Sequence, residues 1–79
     1  MINEHDCVVL TQDMPEASLE AGAIGTAVHV HEDGTGYEVE FMTLAGETLA
    51  VVTLGPAQIR PIQPRDVARV RELSATQSQ

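Results

Sequence analysis

The sequence predicts an all-β fold, a small five-stranded barrel, and three observations predict it. Short β-branched runs recur along the chain, alternation of apolar and polar residues is clear in at least one of them, and Gly or Pro punctuates the gaps. Cys7-Val8-Val9-Leu10-Thr11 is an apolar run and reads as the first strand. Gln12 to Gly22 forms a loop opened by Asp13 and Pro15, with Leu19 plugging one end of the core. Ile24 to His31 is the second strand, with Ile24, Thr26, Val28 and Val30 on one face and Ala27, His29 and His31 on the other. Glu32-Asp33-Gly34-Thr35-Gly36 is a turn, because Asp-Gly takes the positive φ that a tight hairpin needs.

Tyr37 to Met42 gives the clearest alternation: Tyr37, Val39 and Phe41 inward, Glu38 and Glu40 toward water. Ala45-Gly46 is the next turn, and Glu47 to Leu54 is the fourth strand. Gly55 to Ile59 reads as a single helical turn, and Arg60-Pro61-Ile62 as a brief last strand whose proline requires an edge or terminal position. Four strands, a one-turn helix and a short fifth strand describe an SH3-like barrel over 1–62. Residues 63–79 form a C-terminal tail, with a short helix over Asp66 to Leu73 opened by Pro64 and a frayed polar end from Ser74 to Gln79. The fourth strand is apolar on both faces, so something must cover its second face. Val67, Val70 and Leu73 of the tail, or a second copy of the chain in a homodimer, are the candidates.

Charge bounds the function. The 79 residues carry 12 acidic side chains against 4 basic ones, a formal net charge of −8. Residues 1–59 contain no Lys or Arg; Arg60, Arg65, Arg69 and Arg71 all fall in the last twenty positions. A body without cations repels a phosphate backbone and an anionic membrane, so neither nucleic acid nor membrane is an expected partner. It suits a basic protein, whose approach it would steer. Surplus negative charge also keeps a small protein soluble. One cysteine precludes an intrachain disulfide, and no basic stretch followed by an apolar run opens the chain. The expected compartment is the cytoplasm.

Four segments carry a family resemblance: Val8 to Glu16, Gly22 to Val28, Tyr37 to Phe41 and Leu54 to Pro61. Their order over residues 6–62 resembles the small proteins known as domain of unknown function 4926. The resemblance implies an SH3-like fold, a bacterial or archaeal source and no assigned activity. Some members lie beside toxin-like genes, which implies an antitoxin or immunity role. Where members carry Asp or Glu this chain has Ala23, so an acidic role there does not carry over. No catalytic residue carries over either. Gly22 and Gly25 also resemble a KOW-type motif, but an RNA-binding domain of that type brings a basic surface this chain lacks.

Few residues offer chemistry. His29 and His31, two apart on a strand, share a face, and an antiparallel first strand would bring His5 and Cys7 near them. Zinc or nickel could use such ligands, yet polar strand surface explains the residues, and no metal or other cofactor is assigned. Cys7 lies two residues from His5, but no oxyanion hole or orienting acid accompanies the pair, and Cys7 reads as a small buried apolar residue. With no phosphate loop or dinucleotide fingerprint, the reading is non-catalytic. The expected activity is protein binding, through the carboxylates Glu32, Asp33, Glu38 and Glu40; the alternative is an accessory subunit of a larger enzyme assembly.

Overall fold

The computed structural model describes residues 2–73. Five strands form one antiparallel sheet: β1 (Cys7–Leu10), β2 (Ile24–Val30), β3 (Tyr37–Met42), β4 (Thr48–Leu54) and β5 (Ile59–Pro61), in the order β4-β3-β2-β1-β5. The predicted strands match these bounds to within a residue, and β3 matches exactly in extent. The sheet is open. β4 and β5 are its edges and do not pair with each other, so the predicted closed barrel is corrected to an open sheet with its core on one side.

Alternation sets that core. Val8 and Leu10 of β1, Tyr37, Val39 and Phe41 of β3, Leu54 of β4 and Ile59 of β5 turn to the inner face, joined by Ile2 and Leu19. Phe41, Leu10, Leu54, Val8 and Val39 are its largest fully buried side chains. Burying each such side chain contributes roughly 1.5–3 kcal/mol. Leu19 reaches the core because Met14 and Leu19 bridge around a 3₁₀ turn at Pro15–Ala17, within the segment predicted as a plain loop.

The face assignment predicted for β2 needs correcting, and the reason is a bulge. Gly25 stands opposite Phe41 and Ala27 opposite Val39, so these small residues point inward. A Cβ on Gly25 would lie 2.7 Å from Val39 Cγ1, 2.8 Å from Phe41 Cε1 and 3.0 Å from the Glu40 carbonyl oxygen. Only glycine lets the strands approach this closely. Register then shifts between Ala27 and His29, leaving Val28 as the extra residue. Past the bulge the parity reverses: His29 faces Glu38 on the outer side, and Val30 pairs with Tyr37.

A second shift lies between Phe41 and Met42, opposite Leu49. Leu49 is half-buried and packs against the core, which leaves Val51 as the apolar residue of β4 exposed on the outer face. The two-faced apolar pattern of this strand thus has a local cause. The turn at Gly34 has the positive φ of 71° that Asp-Gly predicted.

Two helical expectations fail. Gly55 to Gln58 is a turn closed by the Gln58 N–H on the Gly55 carbonyl at 3.0 Å, not a helical turn. The tail has no helix over Asp66 to Leu73. Its start is instead a turn in which Asp66 accepts from the Gln63 N–H at 2.7 Å and from Arg60 Nη1 and Nη2 at 2.9 Å each. Val67 and Val70 are exposed, so no packing repays helix nucleation. Farther on, Arg71 donates to the Ser18 carbonyl at 2.8 Å and pairs with Glu20 at 3.4 Å, so the tail touches the Asp13–Glu20 loop. The predicted frayed end, Ser74 to Gln79, lies outside the described residues.

Candidate functional site

The outer face of β2, β3 and β4 gathers the polar chemistry of this chain. Because Tyr37, Val39 and Phe41 point inward, Glu38 and Glu40 must share the opposite face. Across the β3–β4 pair they stand opposite Thr53 and Val51. The Thr53 hydroxyl lies 2.9 Å from both oxygens of Glu38, and the Thr48 hydroxyl donates to Glu40 at 2.6 Å. Both carboxylates are therefore held over β4.

On its other flank Glu38 accepts from His31 Nε2 at 3.0 Å. The His31 bond first, and the Thr53 hydroxyl second, hold the Glu38 carboxyl below its ordinary value of 4.5. His29 packs edge-on against His31, ring centroids 5.3 Å apart, and its Nδ1 lies 3.4 Å from Glu4. The predicted shared face of the two histidines is present, and the Val28 bulge puts it beside Glu38.

The four predicted binding carboxylates divide into two pairs. Glu38 and Glu40 lie together on β3. Asp33 belongs to the β2–β3 turn, where it accepts from the Thr35 hydroxyl at 2.7 Å and the Thr35 N–H at 3.0 Å. Those bonds, the hydroxyl foremost, lower its pKa, with His31 adding a weaker attraction. Glu32 is exposed on the same turn. His31 thus stands between the turn and the strand.

Sequence reasoning missed the two threonines. An unbroken count from the Ala45-Gly46 hairpin sets Val52 opposite Glu38, and only the extra residue Leu49 moves Thr53 there. Cys7 also departs from its prediction. It is exposed, because Val8 and Leu10 take the inner face and parity sends Cys7 outward opposite Thr26. The antiparallel β1–β2 pairing does bring the His5 N–H onto the Ala27 carbonyl. Among the described residues no three His, Cys, Asp or Glu side chains converge as a metal site, and no helix is long and apolar enough to cross a membrane.

A family model described as a domain of unknown function (DUF4926) matches residues 4–61. The chain belongs to the DUF4926 family. No curated protein and no solved structure matches it. All five strands of this DUF4926 chain, and its outer-face histidines and carboxylates, fall inside the matched segment. The Arg60–Asp66 turn and Arg71 fall partly or wholly beyond it.

Proposed function

We propose that this DUF4926 domain is a non-catalytic protein-binding module that docks a basic partner on the outer face of β3. The observation that carries this reading is the pair Glu38 and Glu40, side by side on one face and fixed by Thr53 and Thr48, within a 59-residue stretch that has no Lys or Arg. Carboxylates already held in place lose little freedom when a cation arrives, which favours charge-assisted hydrogen bonds to Lys or Arg. Glu32 and Asp33 extend the negative surface along the adjoining turn. A basic toxin held by its antitoxin or immunity partner in the cytoplasm is one pairing of this chemistry. A distant SH3-like relationship belongs to the same proposal, supported by five short strands and the turn before β5.

The test is co-purification from the native host with identification by mass spectrometry, comparing the wild type with Glu38→Lys/Glu40→Lys. A partner of high isoelectric point, captured by the wild type and lost with the double variant or with raised salt, is the expected result. Capture unchanged by charge reversal would remove this reading.

A second reading is an accessory subunit of a larger assembly. Ile24, Met42 and Val51 support it, being 46%, 49% and 55% exposed on the outer face. A strictly monomeric chain in host lysate would count against it.

A further inference from the structure

Glu38 and Glu40 are held toward β4, and β4 is a sheet edge. Its seven residues, Thr-Leu-Ala-Val-Val-Thr-Leu, contain no charge, no proline and no glycine. It pairs with β3 on one side, and among the described residues no strand lies on the other. Natural sheets blunt such edges with lysine, proline or short length. The opposite edge has these devices: β5 is three residues long and includes Arg60 and Pro61. The unprotected edge is the one beside the carboxylates.

We infer that β4 accepts an extended basic segment of the partner as a sixth strand, whose alternate Lys or Arg side chains meet Glu38 and Glu40 across Val51 and Thr53. This inference rests on the docking reading above and gives it a mode, strand addition. An added strand runs about 4.8 Å from β4, so its outward side chains lie two strands from β3, a separation that long side chains bridge. The leaning of both carboxylates onto Thr48 and Thr53 shortens that reach. Its inward side chains would meet the half-buried Ala50 and Val52 at the rim of the core. The occupant is therefore a strand alternating basic and apolar residues. Charge selects it over a second copy of this chain, because two copies each bring a formal charge of −8 and no Lys or Arg in residues 1–59.

The probe is a capped peptide of alternating Lys and Val, the length of β4, with a scrambled peptide of the same composition as control. Each is titrated into the full chain while amide hydrogen exchange is followed. We expect the alternating peptide to slow exchange of amides within Thr48–Leu54 by about tenfold or more near saturation, the scale on which local opening is suppressed. Val51→Lys, at an exposed position, should weaken that binding about tenfold by placing a cation on the edge; Thr53→Lys is the second variant should the first fold poorly. Salt-sensitive binding of both peptides without protection of β4 would overturn strand addition and leave the acidic docking face standing. Failure of both peptides to bind at low salt would overturn both readings. Protection of β4 that grows with protein concentration alone would assign the edge to a second copy and overturn the basic-strand inference.

Discussion

Thr53 and Glu38 are partners twice over: they stand opposite each other in the β3–β4 register, and the Thr53 hydroxyl reaches both carboxylate oxygens at 2.9 Å. His31 closes the other side of the same carboxylate. Both bonds favour the ionised form, so the carboxyl titrates below 4.5. His31→Ala should raise the Glu38 pKa more than Thr53→Val, because the His31 bond is the larger cause. Carboxyl-carbon NMR titration checks this. An unchanged Glu38 midpoint in both variants would show that the bonds do not form in solution.

Gly25 and Phe41 make a sharper prediction about stability. A methyl group at Gly25 meets Val39, Phe41 and the Glu40 carbonyl at 3.0 Å or less, and a carbonyl in the ladder has little room to move. Overpacking of this kind costs roughly 1–3 kcal/mol. For a chain of this size each kcal/mol lowers the melting temperature by about 4–8 °C. Gly25→Ala should therefore melt well below the wild type with the same β-rich circular dichroism. A melting temperature within a degree or two of the wild type would mean that the strands separate easily here.

The inner face of β3 could be read directly from Tyr37-Glu38-Val39-Glu40-Phe41, because a period of two over six residues has only one solution when one face is buried. Glu38 and Glu40 were legible as a pair for the same reason. What the pattern could not reveal were the two insertions in register. In Ile24 to His31 a clean alternation groups Ile24, Thr26, Val28 and Val30 on one face. Phe41 and Val39 across the sheet instead demand Gly25 and Ala27 beneath them, and the extra residue Val28 then returns Val30 to the inner side. The tail fails differently. Val67, Val70 and Leu73 have helical spacing, but Asp66 is engaged by Arg60 and the Gln63 N–H, and the two valines find no surface to cover. Local periodicity is a weak guide where tertiary contacts do not repay it.

The Val28 bulge can be tested by removing it. Deleting Val28 removes the extra residue and restores an unbroken ladder in which Ala27 still meets Val39, His29 still meets Glu38 and Val30 still meets Tyr37, so every face beyond it is kept. What the deletion takes away is the local bend and added twist of a bulged strand. The deleted chain should therefore fold with the same β-rich circular dichroism, and its midpoint should lie close to that of Val28→Ala, since Val28 is itself exposed. Chemical denaturation compares the two. A deleted chain that unfolds far below Val28→Ala would show that the bend itself is needed for the strands to pack.

The last prediction concerns the turn that begins the tail. Asp66 takes both guanidinium nitrogens of Arg60 at 2.9 Å and the Gln63 N–H at 2.7 Å, and its pKa falls from an ordinary 3.8 to about 2. The Arg60 bonds are the larger cause, the Gln63 N–H the second. Arg60 is raised in turn by the same bonds, so each charge favours the other. A carboxyl depressed in the folded chain contributes stability that is present above 3.8 and is lost as pH falls from there toward 2. The turn should thus hold throughout the neutral and mildly acid range and open only near its folded midpoint. The Gln63 amide resonance reports it directly, and it should shift in one step centred near pH 2. Asp66→Asn should abolish the step. Arg60→Lys should move it upward, because an ammonium cannot reproduce the two-pronged contact of a guanidinium. Both variants lose at pH 7 stability that the clasp contributes there, so each should melt below the wild type at neutral pH, the difference narrowing as pH falls toward 2. A Gln63 step centred at 3.8 in the wild type would show that the Arg60–Asp66 clasp is absent in solution, and the tail would then have no fixed start.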